Sequence, residues 1–290
     1  MAARIVWLAS FPKSGNTWFR LLISNWRADS AEPFSINELS DPGGELIRRS
    51  SFDDATLLPS GLLHTAEIES LRPAVYGMLA GEGEGDWYVK VHDAYQRNPA
   101  GDSPFRSETV KAAIYLVRDP RDVAASLANH FGTSIDYAIR IINSRGSALS
   151  SFRNRQALQL PQALRGWSGH VESWLDQTEV PVHLVRYEDL KADTAGVFAG
   201  ALEFLGEETD GQRLERAVHN SRFSELQRQE RESGFRDRLP AGGQFFRGGQ
   251  TGGWRKELTP EQACRIEDAN RAVMQRLGYG VPAACAFSKV

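Results

Sequence analysis

What this chain has little of bounds it first. Two cysteines among 290 residues, Cys264 and Cys285, are too few for a disulfide framework, which fits a reducing compartment and leaves room for one optional bridge. No stretch approaches the roughly 18 consecutive apolar residues of a membrane span, and no long apolar leader precedes the strand that begins near Arg4. The expectation is a soluble, cytoplasmic protein with no membrane partner. The net charge is only −3 and no long Lys/Arg run occurs, so nucleic acid is not an expected partner and any anion site must be local. Metal-ligand clusters are also missing, and no metal is expected. The chain is 41% hydrophobic, an ordinary content for a soluble globular protein, and its length suits one large α/β domain or two small ones.

The most informative stretch is Ile5 to Trp18, IVWLASFPKSGNTW. Ile5 to Ala9 form a short apolar run suited to a buried parallel strand, and Pro12, Gly15 and Asn16 then break the pattern. From Thr17 and Trp18 onward, Phe19, Leu21, Leu22 and Ile23 recur at helical spacing, so the segment reads strand, tight loop, helix N-terminus. The first amides of a helix lack internal partners, the helix dipole adds positive potential, and Lys13 adds a full charge. A phosphate fits there. The general P-loop pattern places its Lys after the last Gly, whereas Lys13 precedes Gly15, so by spacing alone an exposed strand-to-helix turn is equally admissible.

Two further strand ends carry polar residues. Trp87 to His92 has a strand's length, and Lys90 and His92, two apart, share one face. Ala112 to Val117 is a continuous apolar strand followed by Arg118-Asp119-Pro120-Arg121-Asp122 and an amphipathic helix through Val123, Ser126, Leu127 and Phe131. Arg118 and Ser126 can both reach an anion, while Arg121 and Asp122 read equally well as an exposed turn. Functional groups of parallel sheets collect at such carboxyl ends.

Elsewhere the pattern is mixed. Val180 to Arg186 reads as another strand, and helices are expected near Ser35 to Leu39, over Thr65 to Leu79, from Ala163 onward, over Val197 to Leu205 with Gly206 as its stop, and over Pro260 to Leu277. Gly81 to Gly85 reads as a flexible Gly/Glu turn, and Gln227 to Arg238 as a solvated helix end and loop. Residues 28–85 and 132–160, the latter with Arg140, Arg145, Arg153 and Arg155, are weakly patterned, as segments lining a pocket or lid often are. Phe245 to Arg255 is Gly-rich backbone able to wrap an anion, with Arg247 to pair with it.

Taken in order, these segments resemble the PAPS-dependent sulfotransferases of the cytosolic type, PAPS being 3′-phosphoadenosine 5′-phosphosulfate. PKSGNTW is similar to that family's 5′-phosphosulfate loop, and Lys90-Val91-His92 to its K-T-H segment. YLVRDPRDVAAS is similar to its 3′-phosphate segment, YEDLK to a segment near the adenine, Ser221-Arg222-Phe223 to its T-S-F segment, and Arg247 to Arg255 to its RKGxxGDWK loop. The resemblance implies a single-domain α/β fold over residues 1–290, a central parallel sheet flanked by helices in the manner of P-loop kinases, with 28–85 and 132–160 as acceptor-pocket or lid segments. It implies transfer of a sulfuryl group from PAPS to a hydroxyl or amine of a small-molecule acceptor (phenol, alcohol or natural product), releasing PAP without a metal. His92 would be the base, Lys13 would stabilise the leaving oxygen and Lys90 would assist. Lys13, Ser14, Gly15, Asn16 and Thr17 would hold the 5′ end of the nucleotide. Arg118, Ser126, Arg247, Gly248 and Gly249 would hold the 3′-phosphate, and Tyr187, Ser221 and Phe223 would join Trp18 at the adenine. His170, in W-x-x-H-V-x-x-W, is assigned to packing. Gly248 and Gly253 replace the family's Lys and Asp, Arg222 replaces a small residue, and Pro260 and Cys264 break the dimer motif, which leaves a homodimer open. A P-loop small-molecule kinase and a non-catalytic PAP-binding protein are the competing functions.

Overall fold

In the computed structural model of the protein, the described residues are 4–39, 46–81, 84–98, 100–106, 108–151 and 157–281. The expectations attached to Cys285, Arg153 and Arg155, and part of the Gly/Glu turn, fall outside them. The fold is mixed α/β, with a central parallel sheet flanked by helices. Its strands are β1 (Arg4–Ser10), β2 (Asp86–Val91), β3 (Val110–Val117) and β6 (Val182–Arg186), in the order β2-β1-β3-β6, while β4 (Ala148–Leu149) and β5 (Gln162–Ala163) form a separate antiparallel ribbon. β1 and β2 run parallel in a register that sets Leu8 beside Lys90 and Ala9 beside Val91. Ile5 through Ser10 are all buried, which explains the unbroken apolar run: a central parallel strand is covered on both faces and has no solvent side to mark with polar residues.

The chain divides into two compact units, each assembled from three stretches. The first comprises Met1–Phe11, Ser40–Tyr115 and Arg145–Leu184. It contains the helices α2 (Arg49–Thr56), α3 (Thr65–Gly81) and α6 (Gly166–Leu175). Its core is aromatic: Trp7 packs on Tyr76 and Phe105 with ring centroids 5.6 and 5.5 Å apart, and Phe105 packs in turn on Tyr95 and Trp174. Trp7 Nε1 donates to the Phe105 carbonyl at 3.0 Å, so the indole is buried with its one polar group satisfied.

The second unit comprises Pro12–Leu39, Leu116–Ser144 and Val185–Val290. Its helices are α1 (Asn16–Ala28), α4 (Pro120–Phe131), α5 (Ile135–Asn143), α7 (Tyr187–Ala192), α8 (Thr194–Phe204), α9 (Gly211–Asn220), α10 (Phe223–Ser233), α11 (Trp254–Glu257) and α12 (Pro260–Arg276). The helix starts follow local chemistry. Asp119 caps α4 by accepting from the Arg121 amide with Pro120 in the first turn, and Thr259 and Gln262 form a reciprocal capping box on α12. The expected stop at Gly206 is a positive-φ residue just past α8.

Some expectations differ in detail. The segment near Ser35 to Leu39 is a 3-10 turn over Ile36–Glu38, and residues 162–163 are strand, with the helix delayed to Gly166. Gln227 to Arg238 is not wholly solvated, because Glu230 is buried. Nor are Arg121 and Asp122 an exposed turn. Arg121 is 4% exposed: its guanidinium grips Asp119 at 2.7 Å and Glu267 at 2.6 Å and lies 4.2 Å from the Trp254 ring. A charge-rich string looks solvated by composition, yet a fully paired arginine can be buried.

Candidate active site

The predicted nucleotide residues lie in the second unit. After β1 the chain turns with left-handed backbone at Lys13 (φ 70°) and Gly15 (φ 100°), the kind of turn in which amides converge on an anion. Glycine is required at position 15 for a second reason: a Cβ there would lie 2.6 Å from Cδ2 of Tyr187. Gly15 is also the N-cap of α1 and provides no side-chain cap, so the helix presents its first amides uncapped. Between these residues, Ser14 Oγ is buried and finds no hydrogen-bond partner among the described residues. A buried unpaired hydroxyl is costly, and an anion accepting from it relieves that cost. The residues present therefore fit a phosphate.

Arg118, directly after β3, ties three segments together. It donates to the carbonyl of Gln250 at 2.9 Å and to that of Lys13 at 3.4 Å, and its guanidinium lies 4.5 Å from the Tyr187 ring centroid. The turn after β1 and the Gly-rich loop are thus held by one cation. The predicted adenine residues also meet. Trp18 Nε1 donates to the Ser221 carbonyl at 2.9 Å, and the Trp18 and Tyr187 rings stand edge to face at 5.7 Å. Ser221 Oγ accepts from Asn25 at 3.0 Å, and Tyr187 Oη donates to the Gly249 carbonyl at 3.0 Å. Phe223 lies flat enough against Gly249 that a Cβ there would come within 2.7 Å of its ring. Burial pushes the Tyr187 phenol up, with the Arg118 charge opposing, and the phenol stays protonated to make its bond.

Three predicted residues are placed differently from this cluster. Arg247 makes a two-pronged bridge to Glu257 at 2.7 and 2.8 Å, Gly248 is exposed, and Ser126 is half-buried on α4. Several participants were missed in the sequence. Lys13 Nζ sits 3.7 Å from the centroid of Phe245, a cation–π contact, and Asn25 holds Ser221. Asp122 and Glu230 hold the Gly-rich loop by its amides. An FF pair before R-G-G was the visible clue to Phe245, whereas nothing in the local pattern marks Glu230 among its charged neighbours.

The predicted base lies in the first unit. His92 follows the last residue of β2 and is half-buried. Its Nδ1 lies 2.8 Å from the Ser10 carbonyl and 3.3 Å from Ser10 Oγ. A carbonyl can only accept, so Nδ1 carries the proton and the ring's lone pair is on Nε2. Lys90 is half-buried on β2. The His92 backbone is clamped as well: its amide faces Gln162 Oε1 at 3.4 Å, and its carbonyl takes a hydrogen bond from His170 Nε2 at 3.1 Å. His170 is fully buried, with Nδ1 accepting from Tyr115 Oη at 2.8 Å.

Burial pushes the His170 imidazole down to about 3, although its hydrogen bond to the His92 carbonyl favours the proton. In the unfolded chain the ring titrates near 6.5. Below that pH the unfolded chain takes up a proton that the folded chain refuses, so stability is fully present above about pH 6.5 and is lost as pH falls toward 3. Between about pH 7 and about pH 5 the expected loss from this one group is about 2 kcal/mol. Urea unfolding across that range should show it, and His170→Gln, which cannot titrate, should show a loss smaller by that amount.

A parallel sheet whose first strand feeds a left-handed glycine turn and an uncapped helix N-terminus defines a P-loop-like α/β protein. Residues 4–278 match the Sulfotransferase domain family, and the chain belongs to it. It is 31% identical to Sulfotransferase 2A2 of Mus musculus over 156 residues, 52% of each chain, so it spans about half the length of the rodent relatives it matches. It is 23% identical to Cytosolic sulfotransferase 17 of Arabidopsis thaliana over 287 residues, 94% of this chain and 75% of the relative. In fold it is similar to retinol dehydratase in complex with androsterone and the inactive cofactor PAP, with a TM-score of 0.59, 21% identity, and 93% and 80% of the two chains covered. It is likewise similar to mouse sulfotransferase SULT7A1 complexed with PAP, with a TM-score of 0.57, 18% identity and 94% and 85% coverage. Among the described residues no helix is long and apolar enough to cross a membrane, and no group of His, Cys, Asp and Glu side chains is arranged to hold a metal ion.

Proposed function

We propose that this protein transfers a sulfuryl group from PAPS to a hydroxyl or amine of a small-molecule acceptor. The observation that carries the reading is Arg118 joining two anion-binding loops, the Lys13 loop and the Gly-rich loop, beside an aromatic cluster. Such an arrangement suits a nucleotide with phosphates at both its 5′ and 3′ positions. When bound, PAPS supplies the transferable sulfuryl group and a phosphate leaving group.

The chain's own residues then have separable tasks. His92 takes the acceptor's proton on Nε2 as the acceptor oxygen or nitrogen bonds to sulfur and the bond from sulfur to the bridging phosphate oxygen breaks. Lys13, the Ser14 hydroxyl and the first amides of α1 stabilise the charge left on that oxygen, and Lys90 assists at the transferring group. Ser10, which fixes the His92 tautomer through its carbonyl, ends the strand that feeds the phosphate loop. Arg118, Ser126 and the Gly-rich loop hold the 3′-phosphate, while Trp18, Tyr187, Ser221 and Phe223 hold the adenine. The acceptor is assigned to residues 28–85 and 132–160. The strongly exposed Leu57, Leu62 and Leu158 in these segments support an apolar acceptor such as a phenol, an alcohol or a natural product.

The test is incubation with PAPS and a panel of phenols, alcohols and amines, with products identified by mass. Sulfated product, formed undiminished in excess EDTA, is the expected result. Phosphorylated product requiring ATP and Mg²⁺ would replace this reading with a kinase.

A further inference from the structure

Four backbone amides of the Gly-rich segment are taken by two buried carboxylates from distant helices. Glu230 of α10, 5% exposed, accepts from the amides of Phe245 at 2.7 Å and Phe246 at 2.8 Å. Asp122 of α4, 3% exposed, accepts from the amides of Gly252 and Trp254, each at 2.8 Å. The two acids bracket the loop, one at each flank. Between the flanks four carbonyl groups are pinned instead. Gln227 donates to the carbonyls of Phe246 and Arg247 at 2.9 and 3.1 Å, Tyr187 to that of Gly249 and Arg118 to that of Gln250. Among the described residues the amides of Gly248, Gly249 and Gln250 find no protein acceptor.

We infer that Asp122 and Glu230 are positioning residues of the 3′-phosphate site, which fix the flanks of the Gly-rich loop by their amides and reserve its central amides for the phosphate. The inference rests on the nucleotide reading above. Its physical basis is the acceptor count: an ionised carboxylate offers two oxygens and no donor, so one side chain holds two neighbouring amides, consecutive for Glu230 and one residue apart for Asp122. A loop whose flank amides and most of whose central carbonyls are already committed offers chiefly its central amides, and pre-ordering them removes an entropic cost from binding. Two buried acids beside an anion site would be an electrostatic liability if they served only as fillers. Here each carboxylate accepts from two amides, and although burial pushes the Asp122 carboxyl up, the Arg118 charge and the Gly252 and Trp254 amides oppose that push. Neither acid touches the reacting atoms.

Calorimetric titration with adenosine 3′,5′-bisphosphate and with adenosine 5′-monophosphate separates this role from general structural support. The parent protein should prefer the bisphosphate. Glu230→Gln and Asp122→Asn, which each replace one acceptor oxygen by a donor facing an amide, should each weaken bisphosphate binding about tenfold or more while changing monophosphate binding less than about twofold. Equal weakening of both ligands, or none, overturns the inference. If the parent itself shows no preference for the bisphosphate, the nucleotide reading fails first. Hydrogen exchange on the parent protein gives an answer that needs no variant to fold. The amides of Phe245, Phe246, Gly252 and Trp254 should be protected without ligand, and those of Gly248 to Gln250 should gain protection only with the bisphosphate. Rapid exchange at the flanks in the ligand-free protein would refute the anchoring role.

Discussion

His92→Ala is expected to slow transfer from PAPS about a hundredfold or more, with affinity for PAP unchanged. A positioned general base typically contributes that much, or about 3 kcal/mol of barrier, and the variant keeps every residue assigned to the nucleotide. The measurement is kcat under saturating PAPS and acceptor, beside the dissociation constant for PAP. Parental turnover by His92→Ala would remove the residue from the mechanism. A parallel fall in PAP affinity would mean that it acts by holding the fold. Lys13→Ala should give a loss of the same order, since one electrostatic contact to a developing charge is worth about 3 kcal/mol. In that variant PAP binding should weaken too, because the proposed site sets Lys13 against the ground-state phosphate as well.

The second large effect concerns stability and begins one residue after His92. Arg72 and Asp93 form an ion pair whose side chains are 1% and 0% exposed, with Nη2 to Oδ2 at 2.9 Å. Burial is the largest single influence and opposes the Arg72 charge, but the attraction and hydrogen bonds of Asp93 and Tyr76 together outweigh it and hold the guanidinium above its ordinary pKa. Arg72 Nε also donates to Tyr76 Oη at 2.6 Å, and burial pushes that phenol up to about 12. Asp93 Oδ1 takes the Ala163 amide at 3.0 Å, and the Asp93 carbonyl takes Trp174 Nε1 at 2.9 Å. Arg72→Met should therefore destabilise the protein by about 3–5 kcal/mol, chiefly by stranding a buried carboxylate. Asp93→Asn should do so by a similar amount, because the guanidinium is stranded instead. The double variant should lose clearly less than the sum of the two, since neither charge is left alone. Denaturant midpoints of the three variants and the parent decide this. Additive losses would show that the pair is not coupled.

Much of the sheet was legible because β1 and β3 are short, nearly unbroken apolar runs, the pattern that buried parallel strands require, and β3 passes at once into Arg118. The turn after β1 was legible for a related reason: a strand, a glycine turn and a helix start are local features, and a local sequence specifies them. Arg121 marks where such reading fails. Its composition suggested solvent, and only the arrival of Glu267 and Trp254 from far along the chain makes its burial tolerable. Glu230 fails in the same way, since the two amides it caps lie on a separate loop. The partner of Asp93 was invisible too, because an arginine inside a helix does not announce which acid it will meet.

By itself, therefore, the sequence determined the elements whose causes are local: the β1 turn with its glycine, the uncapped start of α1, the apolar run of β3 ending at Arg118, and the family they compose. Tertiary structure alone decided what each polar group faces. It set the His92 tautomer through the Ser10 carbonyl, made His170 a neutral buried donor, turned Arg247 onto Glu257, and placed two acids on the flanks of the Gly-rich loop. The reason is physical. Backbone geometry and hydrophobic period depend on neighbours in sequence, whereas charge state, tautomer and hydrogen-bond partner depend on neighbours in space.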